Sequence, residues 1–465
     1  MNRPIRTNAK IRNFMTCKSI QTINFFIILF LTSCSSVHDD KYFPICIGAA
    51  NRDCKLLNTN GAYLKQFDSS EIIEDSGQFI LRSGHPSTSL VSRDGKILIP
   101  DGILNFIGNA GDNLWRPARG IDSDFFGWVN ENGEWMIRPD NLNYSFASPF
   151  FEGLAAVEII DFNTLLSHRY GYINTAGKII IPFNILGEAK NFKNKRAVIS
   201  QPIQDKKNQI IYYLEGLIDQ DGNKIITEGA QSINWFAPNR WLIDKLSTFD
   251  GPTEKFQIVD ENGRILLETS NPDFSPIYLG DDRVIINPTE LETKIEHKNF
   301  FWIVELNSGK KIKQFEEIPK VKSSPTPGIP VPLGDGKIYY LSPDGYLTRP
   351  EGFSHAFPFI KERAIAYNNN EDVMLLSLTG VIIPIGLYEL EYPAIDHPLQ
   401  KNEIPIVKKK LINEDSKNKN LEFHWLNTDA KPLAKLMINK CNYSILKNSK
   451  DEIVWEDGDK NLVCQ

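Results

Sequence analysis

The stretch Tyr170-Gly171-Tyr172-Ile173-Asn174-Thr175-Ala176-Gly177-Lys178-Ile179-Ile180-Ile181-Pro182 decides the fold of this chain. An aromatic, β-branched run meets an Asn-x-x-Gly turn, and a lysine-led run of isoleucines leaves it. The same order stands at Phe126-Gly127-Trp128-Val129-Asn130-Glu131-Asn132-Gly133 and at Gly216-Leu217-Ile218-Asp219-Gln220-Asp221-Gly222-Asn223-Lys224-Ile225-Ile226. Asn, Asp or Ser at the first turn position accepts backbone hydrogen bonds, and Gly supplies the left-handed conformation that closes a type I turn with a bulge. Runs rich in Ile, Val and aromatics favour strands. Each copy therefore reads as a β-hairpin.

With the turn glycine as marker, copies fall at Gly61, Gly95, Gly133, Gly177, Gly222, Gly263, Gly309, Gly345 and Gly380, with a degenerate copy at Ala430. Intervals of 34 to 50 residues define a unit of about 40 residues with variable loops. A third apolar element follows several hairpins, as in Phe150-Phe151-Glu152-Gly153-Leu154-Ala155-Ala156-Val157 and Asp281-Asp282-Arg283-Val284-Ile285-Ile286. There is no sustained helical period, so the expected fold class is all-β, built of tandem hairpin repeats. One small sheet is marginal alone. Face-to-face stacking buries its apolar side chains, and closure protects its edges. Propeller-like radial stacking is the expected arrangement, with an open β-solenoid or two smaller arrays as alternatives. The expected boundaries are N-terminal repeats at 42–322, a Pro/Ser linker or long loop at 323–332, and degenerate C-terminal repeats at 333–465.

The pieces Gly127-Trp128-Val129-Asn130, Gly171-Tyr172-Ile173-Asn174 and Phe151-Glu152-Gly153-Leu154-Ala155-Ala156-Val157 resemble the bacterial WG-repeat family. Its unit reads Gly-Trp/Tyr/Leu-Ile-Asp/Asn-x-x-Gly-Lys-x-Val-Ile-Pro, then a Phe-Ser-Glu-Gly-Leu-Ala-x-Val strand. The resemblance is strong over 120–230 and recognisable over 85–385. Departures are Leu217 at the aromatic position, Thr227 at the proline, and the hairpins of Gly309 and Gly380, which lack a preceding Gly-Trp pair. The resemblance implies a β-repeat scaffold and transfers no catalytic residue.

Residues 1–33 read as a targeting segment. Arg3, Arg6, Lys10, Arg12 and Lys18 form a positive region when translation starts at Met1, and a start at Met15 leaves Lys18 as a compact one; the apolar run Phe25 to Leu31 is too short to span a bilayer as a helix. The run ends in Leu31-Thr32-Ser33-Cys34, which resembles a lipoprotein lipobox. That resemblance implies a diacylglycerol on Cys34, a lipidated tether over 34–41, and membrane attachment as the first partner interaction. Ser35 and Ser36, in place of a retention aspartate, imply an outer-membrane location in the cell envelope, facing periplasm or cell surface.

Setting aside the five basic residues of that segment leaves 47 basic against 58 acidic residues, a net charge near −11. This disfavours nucleic acid as a partner. Four further cysteines, Cys46, Cys54, Cys441 and Cys464, are an even number in a chain read as exported, which suggests disulfides with three possible pairings. No CxxC or HxxxH spacing supports a metal site, and no cofactor is expected. No nucleophile elbow or phosphate loop is present, so no catalytic residue is assigned. The densest candidate ligand contact is Trp235-Phe236-Ala237-Pro238-Asn239-Arg240-Trp241, where Trp235, Phe236, Arg240 and Trp241 could stack on a sugar or anchor a peptide. The same aromatics could instead fill the space between sheets. The expected function is a non-enzymatic envelope lipoprotein presenting a binding or scaffold surface for a protein or glycan. A structural spacer without a ligand and a carbohydrate-active enzyme are the alternatives.

Overall fold

A computed structural model describes residues 42–47, 53–58, 71–82, 87–139, 143–160, 168–204, 210–245, 255–269, 275–286, 301–315, 327–333, 336–359, 363–370, 373–378, 382–386, 388–390, 406–409, 421–426, 432–438, 444–448, 450–451 and 453–457. Cys34, Cys441, Cys464, the lipidated tether and the turns of Gly61, Gly380 and Ala430 lie outside the described residues. Every described sheet pairs antiparallel, with strands in chain order, and no α-helix occurs among the described residues. The all-β, hairpin-repeat fold class is therefore what the chain adopts.

The turn chemistry follows the sequence pattern. Asn174 Oδ1 accepts from the amides of Ala176 (3.1 Å) and Lys178 (3.0 Å), while the Gly177 amide donates to the Asn174 carbonyl at 2.8 Å. Gly177 takes φ 74°. Asn130, Asp219 and Asp260 repeat this arrangement. Gly309 departs from it, because its amide bonds to Glu305 one residue further back. The residue three before Gly309 is Leu306, which is 1 % exposed in the core and offers no side-chain acceptor.

The strands form successive layers. Layer 1 is the hairpin Tyr42–Ile47 with Asp53–Asn58. A seven-stranded sheet supplies the next two, hinged on the long strand Ile97–Ile107. Its first half closes layer 2 (Glu71–Asp75, Gln78–Arg82, Thr88–Ser92), and its second half opens layer 3 (Arg116–Gly120, Phe126–Val129, Trp135–Ile137). Layer 4 is Tyr144–Ala147, Leu154–Ile160, His168–Asn174 and Ile179–Ile185. Layer 5 is Arg196–Gln204, Ile210–Asp219 and Lys224–Ala230, and layer 6 is Ser232–Ala237, Arg240–Lys245, Lys255–Asp260 and Ile265–Thr269. Layer 7 runs from Ile277–Gly280 to Lys310–Phe315, layer 8 pairs Ile329–Pro332 with Ile338–Leu341, and layer 9 runs from His355–Ala356 to Ile382–Gly386. A six-stranded sheet from Tyr388–Leu390 to Ile453–Asp457 follows.

Consecutive layers stack face to face, which explains why the strands read as nearly continuous apolar runs. In layer 4, Ala155, Val157 and Ile173 pack towards layer 3, while Leu154, Ala156 and Tyr172 pack towards layer 5. Layer 5 sends Ala197, Ile199 and Ile218 back and Val198, Leu217 and Ala230 forward. Layer 6 sends Ile233, Trp241 and Ile243 back and Ile258 forward. Small antiparallel sheets, mostly of three or four strands, stacked in this way give the propeller-like packing expected from the repeat. The stretch 323–332 ends in the strand Ile329–Pro332, whose Val331 shares one core with Leu279, Ile285 and Ile303 of layer 7.

The Gly-Trp/Tyr pair of the repeat now has a mechanical explanation. In layer 4 the outer strand bulges: Ile181 opposes Tyr172 and Ile185 opposes Tyr170, so four residues span the length of two. Pro182 sits in that bulge, where the absent N–H costs no ladder bond. The bulge carries the outer backbone over Gly171, where an added Cβ would lie 2.6 Å from the Ile181 carbonyl oxygen. Gly127 sits equally tightly, 2.3 Å from the Ile137 carbonyl oxygen by the same measure. Layer 5 has the same bulge around Gly216 without the proline, since Leu217 opposes Ile226 and Glu215 opposes Ala230.

The aromatic after that glycine pins the next layer, and Tyr340, which follows Tyr339 instead of a glycine, does likewise. Trp128 Nε1 donates to the Ser148 carbonyl (2.9 Å), Tyr172 Oη to that of Lys190 (2.7 Å) and Tyr340 Oη to that of Phe357 (2.7 Å). Each ring also meets a phenylalanine from the following strand entry: Phe150 at 5.1 Å, Phe192 at 4.9 Å and Phe359 at 5.2 Å.

Candidate functional site

The Trp235–Trp241 segment forms the first hairpin of layer 6, turning at Pro238-Asn239 with Asn239 at φ 56°. Strand alternation divides its four candidate residues between two interfaces. Trp241 is 3 % exposed and packs in the core between layers 5 and 6, so it presents no surface to a ligand. Trp235 stands at the rim of the same interface, 40 % exposed. The Lys193 ammonium lies 3.3 Å from its ring centroid, and its Nε1 donates to Asn194 Oδ1 at 3.0 Å. Burial lowers the Lys193 pKa from its ordinary value.

Phe236 and Arg240 serve the opposite interface. Phe236 packs against the core between layers 6 and 7 and meets Tyr278 edge-on at 6.1 Å. The Arg240 guanidinium donates to Asp282 Oδ1 (2.8 and 3.2 Å) and Asn307 Oδ1 (3.2 Å), and lies 3.6 Å from Glu261 Oε2. The reading of these four residues as one ligand surface is corrected accordingly: a period of two sends neighbours to opposite faces. Trp115, Trp135 and Trp302 likewise pack against inter-layer cores.

What the fold does assemble is a cleft of about 160 Å³ between layers 4 and 5. Its floor is Ile181, Ile185, Ile199 and Ile218, and its rim carries Asn184, Gln201, Asp221 and Lys224 beside Pro182 and Gly222. Two repeat features open it. The Pro182 bulge displaces the outer strand, and Gly222 leaves bare the place where a Cβ would approach the Ile181 side chain to 3.3 Å. The turn below the rim is fixed by Asp219. Burial alone would raise its pKa, but hydrogen bonds from the Asn223 side chain and the Asn223 and Asp221 amides outweigh that and lower it. The volume corresponds to roughly five waters' share of the liquid. It suits one aliphatic side chain or one face of a sugar ring, with amide and charged groups at the rim. Sequence reading missed this cleft, because bulged register leaves no mark in apolar periodicity.

A second polar cluster lies in layer 4. Glu158 accepts from Ser145 Oγ (2.7 Å), lies 2.8 Å from His168 Nδ1 and takes a further bond from Tyr170. Burial would raise the Glu158 pKa, but these bonds outweigh it and lower the value, while burial and Glu158 raise that of Tyr170. Three donors converge on one carboxylate, so the serine is clamped to an acid rather than activated by the histidine. A depressed carboxylate pKa adds stability that is present above the unfolded value and lost as pH falls through the folded one. Wild-type chain is expected to lose more stability between pH 5 and pH 3 than Glu158→Gln, as read from urea midpoints at each pH. Equal losses would show that the clamp contributes nothing. Among the described residues, no group of three or more His, Cys, Asp or Glu is placed to hold a metal ion.

The pattern of the WG containing repeat matches residues 126–159 and 170–201. No curated protein matches the chain. Among solved structures, a eukaryotic initiation factor is similar at 8 % identity and TM-score 0.40, covering 86 % of this chain and 96 % of its own. The designed protein Ika8 is similar at 10 % identity and TM-score 0.32 (72 % and 91 % covered), and BamB from Moraxella catarrhalis at 11 % and 0.28 (72 % and 99 %). Likenesses at these scores carry no argument about fold or function. The first matched segment takes in the last two strands of layer 3 and the first two of layer 4; the second takes in the last two of layer 4 and most of the first strand of layer 5. The chain thus carries WG repeats over residues 126–201, each straddling two layers and enclosing the contact between them.

Proposed function

We propose that this chain is a non-enzymatic cell-envelope lipoprotein, anchored through lipid on Cys34, whose β-repeat array binds a protein or glycan. The observation that supports the reading is the cleft between layers 4 and 5, apolar at its floor and polar at its rim, whose lining from Ile181 to Gln201 falls in the matched segment 170–201. Small pockets of this composition bind by burying one apolar group and orienting it with a few polar partners. Binding surfaces supported by rigid layers and bordered by variable loops are a common use of repeat arrays.

The test uses the native chain from solubilised envelopes, presented with envelope proteins and with a glycan pool. Asn184, exposed on the rim, is changed to Trp to fill the cleft while leaving the core untouched. A partner held by the parent and lost at least about tenfold by a folded Asn184→Trp chain supports the reading; one hot-spot contact is worth about that much. Equal binding by both chains removes the cleft from the site. Failure of both to hold any partner favours a spacer without a ligand. A fatty-acid label on the native chain reads the anchor separately.

A further inference from the structure

Layer 1 pairs Tyr42–Ile47 with Asp53–Asn58 without a register shift, and in that register Cys46 is the direct partner of Cys54. Two independent observations fix the type of this pair. The Tyr42 amide donates to the Arg93 carbonyl of layer 2 (2.9 Å), so it points away from the facing strand. Pro44, two residues on, has no amide to give. Residues 42, 44 and 46 therefore occupy non-hydrogen-bonded positions, where opposed Cα atoms approach to about 4.5 Å rather than about 5.5 Å. A disulfide requires Cα atoms about 4.4–6.8 Å apart. Tyr42 and Leu56 of the same hairpin pack with Phe79, Leu81 and Val91 of layer 2.

We propose that Cys46 and Cys54 form a cross-strand disulfide that locks layer 1 as a cover on layer 2. This selects one of the three pairings the sequence leaves open and leaves Cys441 and Cys464 to each other. Formation joins the two sulfurs and releases two protons and two electrons, which reduce the disulfide of an exchange partner of the dithiol class to two thiols. The proposal rests on the exported location assumed under Proposed function, since a reducing compartment would keep the thiols free.

Trypsin separates all four cysteines, cutting after Lys41, Arg52, Lys55, Lys440, Lys447 and Lys460, so each pairing yields a distinct linked mass. The full chain is isolated with thiols blocked, and a second portion is reduced and reoxidised in a glutathione buffer. The expected product in both is peptide 42–52 joined to 53–55, with Cys46 open to thiol reagents only after reduction or in Cys54→Ser. The link in the reoxidised chain beside free thiols in the native chain supports the pairing and overturns the exported location. Any other pairing, or free Cys46 and Cys54 after reoxidation, overturns the proposal.

Discussion

Truncating Trp128 to alanine is expected to destabilise the array by about 3–5 kcal/mol, the range for deleting a fully buried large aromatic. Trp128 is 0 % exposed and sits where layers 3 and 4 meet. Its ring lies 5.1 Å from Phe150 and 6.3 Å from Tyr144, and its indole N–H satisfies the buried Ser148 carbonyl. Alanine leaves both a cavity and an unpaired acceptor, and each adds to the loss. Because a repeat array is coupled mainly between neighbours, the damage should be local. Amide exchange should rise over residues 144–157 and stay unchanged in layers 6 to 9. Trp128→Phe, which keeps most of the apolar volume, should lose about 1–3 kcal/mol, chiefly for the orphaned carbonyl. An unchanged exchange pattern in the alanine variant would show that the aromatic does not hold the two layers together.

Asp75→Ala is expected to cost a similar amount, about 3–5 kcal/mol, because it strands a buried charge. The Arg116 guanidinium is 0 % exposed between layers 2 and 3. It pairs with the Asp75 carboxylate, donates to the Asp75 carbonyl (2.8 Å), to Gln78 Oε1 (3.1 and 3.2 Å) and to the Gly108 carbonyl (3.3 Å). Burial lowers its pKa, and Asp75 works against that. Without the carboxylate the charge keeps only neutral acceptors, and the Ala110 amide also loses its 2.7 Å partner. The paired change Asp75→Ala with Arg116→Met should recover much of the loss, since an apolar pair of similar volume often replaces a buried ion pair without penalty. Urea midpoints of the single and double variants decide this. A double variant no better than Asp75→Ala would mean that the polar bonds, not the stranded charge, set the cost.

These two sites mark what the sequence revealed and what it hid. Trp128 belongs to a repeated pattern, and the period exposed both its strand and its burial. The Asn130, Asn174, Asp219 and Asp260 turns were equally legible, because an Asx side chain three residues before glycine closes its turn with purely local bonds. Arg116 was not legible. Its side-chain partners lie 38 and 41 residues away, and a single arginine in an apolar interface has no periodic signature. The Trp235–Trp241 cluster misled for the opposite reason: closeness in sequence suggested one surface, while strand alternation placed Trp241 and Phe236 in different cores. The cleft escaped because it depends on a bulge that Pro182 accompanies but, as layer 5 shows, does not alone dictate.

The half-step offset between the sequence repeat and the stacked layer bears on how such a chain could change length. A segment such as 126–159 ends one sheet and begins the next, carrying its own fastening from Trp128 to Ser148. Excising one whole repeat would therefore join the opening strands of one sheet to the closing strands of its successor, producing a complete hybrid sheet rather than an orphaned edge. Duplication would insert a sheet by the same splice. Unequal recombination could thus lengthen or shorten the array while every intermediate keeps its hairpins paired and its interfaces filled.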